Sequence, residues 1–237
     1  DGDLDTRWAG AYINNIPKYP NWIAIDLGAY YDLEQVELYF FQYGLNSRAY
    51  KYEVMTLDER MPVDDLEAFA AAFTQVYDNR ANTDRSGHYK HNLTGTTARY
   101  IMVNVTSSDA FESGNNYALP SIYEIMATGE LADVQKYLVA GKVSSEGIPV
   151  EGLTVGLYAA SDAGFENALA TATVAADGGY TLYPDFAPGS YVARIAAAPG
   201  SYGEATADVT VTNADVANAN LTVYAMDGKA ALRALYD

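Results

Sequence analysis

The 237-residue chain has no cysteine, so thiol nucleophiles, Cys-ligated zinc and disulfide staples are excluded together. It has only two histidines, and neither lies near a plausible nucleophile; no Ser/His/Asp set and no phosphate-cradling glycine loop is present. Bases are scarce. Fourteen Lys+Arg against 31 Asp+Glu leave a net charge of −17, which repels nucleic-acid phosphates and anionic lipid heads, so a nucleic-acid partner is excluded. No apolar run approaches the roughly 18 residues that suggest a membrane span. With 31 acids, carboxylate pairs arise in any arrangement, so they give no argument for glycosidase chemistry. The chain is expected to be non-catalytic.

Hydrophobic residues make up 49% and charged residues 19%, the balance of a globular chain rather than a disordered one. Texture changes near residue 130: 13 of the 21 tyrosines precede Leu131, and the remainder is rich in Ala, Thr and Val. Two domains are expected, over 1–130 and 131–225, joined within Gly129–Gln135. Residues 226–237 place Leu232 and Leu235/Tyr236 at helical spacing, as the opening of a further module. The chain begins with Asp1 rather than Met, with no basic segment leading into an apolar one, so it is expected to be a piece of a longer polypeptide.

Period-two patterning predicts strands in the first half. Val36, Leu38 and Phe40 alternate with polar or amphipathic neighbours, as do Tyr50/Tyr52/Val54 and Ile101/Val103/Val105. Trp22–Gly28 reads as a doubly covered strand that stops at glycine. One helix is predicted over Asp64–Phe73, with Asp64 and Glu67 at capping-box spacing and Leu66, Phe69, Ala70 and Phe73 on one face. In the second half, short strands over 139–143, 153–158, 180–182, 191–195, 208–211 and 221–224 are separated by Gly- and Pro-containing turns, which argues a small sandwich. His88 and His91 stand in a basic stretch with Arg80, Arg85 and Lys90; an H-x-x-H pair can ligate metal, but without a third ligand nearby a solvated polar loop is expected.

The opening Asp1-Gly2-Asp3-Leu4-Asp5-Thr6-Arg7-Trp8 gathers three carboxylates and a hydroxyl about a glycine turn, the hard oxygen donors that Ca²⁺ takes. Followed in order by Trp22-Ile-Ala-Ile-Asp-Leu-Gly28, Asn46-Ser-Arg-Ala-Tyr-Lys-Tyr-Glu-Val54, Ala98-Arg-Tyr-Ile-Met-Val103 and Ser121-Ile-Tyr-Glu-Ile125, it resembles the discoidin, or coagulation factor 5/8 type C, domain, with which carbohydrate-binding module family 32 is grouped. The resemblance covers residues 1 to about 130 and implies an all-β, eight-stranded jelly-roll sandwich with one structural calcium, the strand before Asp1 being missing. It maps the calcium ligands onto Asp1, Asp3, Thr6, Glu124 and the carbonyl of Tyr123. An ion joining the two ends of a module cross-links the folded state alone.

In galactose-binding members of that family an aromatic ring stacks on the sugar while amide and guanidinium groups read its hydroxyls. The matching positions are Tyr12, Asn46 and Tyr117, with Arg48 as a displaced guanidinium. Ala9 stands where such members have a histidine and Phe41 where they have an arginine. Trp8 and Trp22 fall at core positions. The expected partner is a glycan, and the expected setting is a secreted or surface-attached bacterial protein, such as a glycan-degrading enzyme carrying this module. The alternative is a structural spacer or protein-binding adhesin segment with no glycan site; a cleft walled by Tyr12 and Tyr117 with Asn46 converging on it would argue against this alternative, and a flat loop surface without convergent polar groups would support it. Membrane contact through Tyr12, Ile13 and Ile16 ranks last, because Lys18 is the one base in that loop.

Over residues 136–224, Val139-Ala-Gly-Lys-Val143, the Gly147–Val155 stretch, Ala176-Asp-Gly-Gly-Tyr-Thr-Leu182 and Ala187-Pro-Gly-Ser-Tyr-Val192 resemble the carboxypeptidase regulatory-like, transthyretin-type sandwich, with Tyr180 and Tyr191 implied in the core. Related adhesin domains form a Lys–Asn isopeptide bond. Lys142 and Asn220 lie near the first and last strands, but a solvated Lys142 is expected.

Overall fold

The computed structural model describes residues 5–41 and 48–226. Their regular structure is almost entirely strand, and they form two compact units; Arg60–Pro62 group with the second unit, which otherwise starts at Val134. The first unit contains eight strands: β1 (Trp8–Ala9), β2 (Tyr12–Ile13), β3 (Ile16–Pro17), β4 (Asn21–Phe40), β5 (Tyr50–Leu57), β6 (Thr74–Asp78), β7 (His88–Ser108) and β8 (Ser121–Leu131), with short helices α1 (Leu66–Ala71) and α2 (Asp109–Glu112). Six of the strands pair in the order β1-β8-β4-β7-β5-β6, all antiparallel, and β2 and β3 form a separate hairpin.

The long strands β4 and β7 are the frame. Their pairing runs from Asn21↔Val105 to Tyr39↔His88 and is interrupted between Asp26 and Tyr31 and again near Gln35, where the ladder bulges and bends. Here the structure corrects the sequence: Gly28 does not end a strand. Its φ of +82° lets the chain turn outward while Asp26 Oδ1 accepts its N–H at 2.8 Å, and the strand continues. Trp22–Gly28 is half-buried or exposed rather than doubly covered. Beyond the bulge, Leu33, Val36, Leu38 and Phe40 enter a core with Tyr50, Tyr52, Val54, Val103, Val105 and Ile122. Phe40 anchors it, with Tyr50 at 4.4 Å, Tyr52 at 5.0 Å and Tyr89 edge-on at 5.8 Å between ring centroids.

Strand β7 is buried on both faces from Tyr100 to Val103, where alternation predicted one. Phe69 of α1 and the following Phe73 supply the second cover, their rings meeting Tyr100 edge-on at 5.5 and 6.3 Å. The helix starts one residue later than its spacing suggested: Asp65, not Asp64, caps it, its carboxylate accepting the N–H groups of Glu67 and Ala68. Leu66 is left exposed.

The two histidines are in β7, not in a polar loop. Positions three apart on a strand face opposite sides, so His88 and His91 cannot share an ion. His88 meets Glu37 Oε1 at 2.5 Å and stacks on Tyr39; His91 is buried, bonded to the Tyr52 hydroxyl at 2.7 Å and stacked on Tyr77 at 3.8 Å. The neighbouring bases are each matched by acids: Arg80 by Asp78, Arg85 by Asp109, Lys90 by Glu37.

The second unit has a four-stranded sheet and a three-stranded sheet. The first is ordered β11 (Ala170–Thr173), β10 (Thr154–Ala159), β13 (Gly189–Ile195), β14 (Ala205–Val211); the second is β12 (Gly179–Phe186), β9 (Tyr137–Glu146), β15 (Leu221–Tyr224), with β15 parallel to β9. One core fills the unit: Val139, Leu157, Leu182, Ile195, Val209 and Leu221 among others. Strand β11, Ala-Thr-Ala-Thr, has no large apolar side chain to mark it in the sequence. Tyr180 is buried, with its hydroxyl bonded to the Ala219 carbonyl, whereas Tyr191 is half-buried. Asn220 uses its side-chain oxygen to accept the backbone N–H of Lys142, in the middle of β9, at 2.9 Å, and both residues are exposed. The proposed module start at 226–237 lies almost wholly outside the described residues.

Burial holds the His91 imidazole below its ordinary value of 6.5, so the native state favours the neutral ring while the unfolded chain takes a proton first. The stabilisation from the neutral ring is present above pH 6.5 and is lost as pH falls through the lower folded value. Thermal melts across that window should show the first unit weakening just below pH 6.5, and His91→Gln should flatten that part of the profile.

Candidate functional site

The hairpin that carries Tyr12 is set by its turn. Asn14 and Asn15 have φ of +52° and +62°, a two-residue type I′ turn whose twist matches that of the flanking strands, and asparagine tolerates this region better than most residues. Ile13 pairs with Ile16 and Tyr12 with Pro17. Because successive residues face opposite sides, Ile13 and Ile16 project from the face opposite Tyr12. All three are exposed.

Tyr117 lies on a second loop, after α2. Gly114, at φ +91°, turns the chain, Asn115 N–H donates to the Ala110 carbonyl, and Asn115 Oδ1 accepts the Tyr117 N–H at 2.9 Å. Tyr117 is 84% exposed, the most exposed large hydrophobic residue among the described residues. A ring so exposed adds nothing to the core and is available to a ligand.

The two loops meet at their bases. Gly10 N–H donates to the Pro120 carbonyl at 2.8 Å and the Tyr19 hydroxyl to the Ala118 carbonyl at 2.5 Å. Between them lies a cleft of about 550 Å³ bordered by Tyr12, Asn15, Asn116 and Tyr117. The structure thus brings two of the four expected ligand residues, Tyr12 and Tyr117, to one cleft. Asn46 lies outside the described residues. Arg48 does not border the cleft: its guanidinium reaches the Leu119 carbonyl at 3.4 Å and sits 5.7 Å from the ring centroids of both Phe41 and Tyr50, where packing on aromatic faces holds it. Phe41, in the place expected for an arginine, also carries the Arg7 guanidinium 3.9 Å from its ring centroid. Asn15 and Asn116 are the amide-bearing residues that border the cleft. The signal for Asn15 was present: Asn-Asn between two apolar pairs is a two-residue turn.

The expected calcium ligands divide similarly. Pairing of Trp8 with Ile122 and Ala9 with Ser121 runs the entry strand alongside β8, and Thr6, Tyr123 and Glu124 border one cavity of about 300 Å³ together with Arg7, Trp8 and four isoleucines. Glu124 Oε1 accepts the Ile125 N–H at 3.1 Å, which holds the carboxylate in position. A hydroxyl, a carboxylate and a backbone carbonyl are hard donors, so these residues fit Ca²⁺ in chemistry. Asp1 and Asp3 lie outside the described residues, and among the described residues no three of His, Asp or Glu gather as a metal cluster.

Residues 1–103 match the family model for F5/8 type C domains described as a NedA-like, galactose-binding domain. That match ends within β7, before Tyr117 and Glu124. Among solved structures, a family 89 glycoside hydrolase from Clostridium perfringens in complex with GlcNAc-α-1,4-galactose is 23% identical over 56% of this chain, with a TM-score of 0.40; the overlap spans 12% of that enzyme. A chitosan-binding module of a chitosanase/glucanase from Paenibacillus sp. IK-5, in complex with chitotriose, is 23% identical over 54% of this chain and 82% of its own, with a TM-score of 0.41. No curated protein matches.

The close approach at Gly10 is testable. A Cβ there would lie 2.8 Å from Pro120 Cγ and 3.1 Å from Asn21 Nδ2. Gly10→Val should therefore destabilise the first unit by about 1–3 kcal/mol through overpacking, read by urea denaturation.

Proposed function

We propose that the first unit is a carbohydrate-binding module that holds a sugar between Tyr12 and Tyr117, within a larger exported bacterial protein whose catalytic work is done elsewhere. The observation that carries this is the cleft itself: two exposed phenol rings and two carboxamides, Asn15 and Asn116, border one space of about 550 Å³. That volume is within the range of roughly 300–1,000 Å³ typical of small-ligand sites. Sugar rings offer C–H faces that stack on aromatic rings, and their hydroxyls both donate and accept, as does a carboxamide. The family description names galactose binding, so galactose-terminated glycans are the first probes. The second unit, resembling a carboxypeptidase regulatory-like sandwich, acts in this scheme as a spacer.

A second reading, contact with a protein surface, is favoured by one observation. Ile13 and Ile16 form an exposed apolar pair on the hairpin face opposite Tyr12. It predicts that Ile13→Ser abolishes partner contact and leaves sugar binding intact.

We also propose that Ca²⁺ binds at Thr6, Tyr123 and Glu124 with Asp1 and Asp3, tying the entry strand to β8. The sharing of one cavity by Thr6, Tyr123 and Glu124 supports this.

Screening the chain on a glycan array with Ca²⁺ present should give retention of one sugar class. Tyr117→Ala should weaken that binding about tenfold, the worth of a stacked ring near 1.4 kcal/mol, and Asn116→Ala about fivefold. Retention of no sugar, or affinities unchanged in both variants, would overturn the assignment. Calcium at a hundredfold excess over its dissociation constant should stabilise the first unit by about 2.7 kcal/mol, a gain removed by chelator and by Glu124→Ala. Superimposable melts with calcium and with chelator would refute the ion site.

A further inference from the structure

We infer that Tyr19 is a positioning residue that sets the separation of the two cleft walls without bordering the cleft. The inference rests on the glycan-binding reading for its functional consequence but not for its structural content. The hairpin bearing Tyr12 and Asn15 is tied down at both ends, and both ties go to the same short stretch directly after Tyr117. Gly10 N–H donates to Pro120 O at 2.8 Å on the incoming side, and the Tyr19 hydroxyl donates to Ala118 O at 2.5 Å on the outgoing side. The hairpin is closed above these ties by Lys18 N–H donating to Ala11 O at 2.8 Å.

Tyr19 is itself held from behind. Its ring meets Phe111 of α2 at 4.6 Å between centroids, and its oxygen lies 3.4 Å from Ser108 Oγ. Ser108 Oγ in turn accepts the Phe111 N–H at 3.3 Å as the cap of that helix, and the Ser108 side chain is fully buried. Burial raises the Tyr19 pKa above its ordinary value, so the phenol remains a donor at neutral pH. One side chain therefore joins the hairpin leg, the cap of α2 and the Tyr117 loop. Tyr117, by contrast, projects outward with its ring exposed, and its place depends on the backbone around it. A wall that must be ordered on binding loses affinity to the entropy of ordering, so a tie that fixes it beforehand raises affinity without touching sugar.

The test is Tyr19→Phe in the full chain, which keeps the ring against Phe111 and removes only the hydroxyl. In sugar-free protein, ¹H–¹⁵N NMR should show shifted and faster-exchanging amides at residues 115–119 and 11–16, with those of β4 and β7 unmoved and the thermal melt still cooperative. Affinity for whichever glycan the wild type retains should fall about fivefold, the worth of one hydrogen bond. In a Tyr117→Ala background the same change should cost nothing further, because the wall it positions is gone. Unmoved amides at 115–117, or losses that add in the double variant, would overturn the inference. If the wild type retains no glycan, the cleft's assignment fails, while the sugar-free spectra still decide whether Tyr19 holds the two walls together.

Discussion

The first unit depends on the antiparallel pairing of two strands of unusual length, Asn21–Phe40 and His88–Ser108. A pair of this length cannot stay flat and bury one core, and its bulges near Gly28 and Gln35 let it bend. Each of the two long strands also has a second partner, β8 for β4 and β5 for β7. The aromatic group of Phe40, Tyr50, Tyr52 and Tyr89 packs where these pairings converge, and burial holds the Tyr50 and Tyr52 phenols protonated. The cleft loops leave this frame at its margins: the hairpin just before β4, the Tyr117 loop just before β8.

The strand pattern was legible because burial is periodic. Val36, Leu38, Phe40 and Tyr50, Tyr52, Val54 alternate with less buried residues as their spacing requires, and the six strands expected in the second half are all present. What the sequence hid has separable physical causes. The Ala-Thr-Ala-Thr strand has no bulky alternation, and α1 covers β7 from a distant segment, so single-strand periodicity could not show that both faces were buried. Gly28 was read as a terminator because a glycine at φ > 0 serves equally a strand end and a bulge. At the cleft, the family resemblance points to Tyr12 and Tyr117 and the Asn-Asn turn makes the place of Asn15 legible, whereas Asn116 reaches the cleft through loop geometry that no motif expresses. Arg48 was drawn away by the faces of Phe41 and Tyr50, a tertiary preference invisible in one dimension.

The scarcity of cations has a structural counterpart. Lys51, Arg80, Arg85, Lys90, Arg99 and Arg194 each lie against a carboxylate: Glu112, Asp78, Asp109, Glu37, Asp26 and Glu204. Most of these pairs are solvent-facing and worth little individually. Their consequence is distributional: among the described residues these six cations are each set against acid, and the net charge of −17 disfavours polyanions.

The hairpin of Tyr12–Pro17 asks little of its own side chains. Its backbone needs two left-handed residues at the tip and fixed ends at Gly10 and Tyr19; positions 12, 13 and 16 face solvent and carry none of the core. The identity of the exposed side chains is thereby decoupled from foldability: substitutions at positions 12, 13 and 16 should cost little stability, so the tip of the hairpin can change in sequence while the strands beneath it stay as they are.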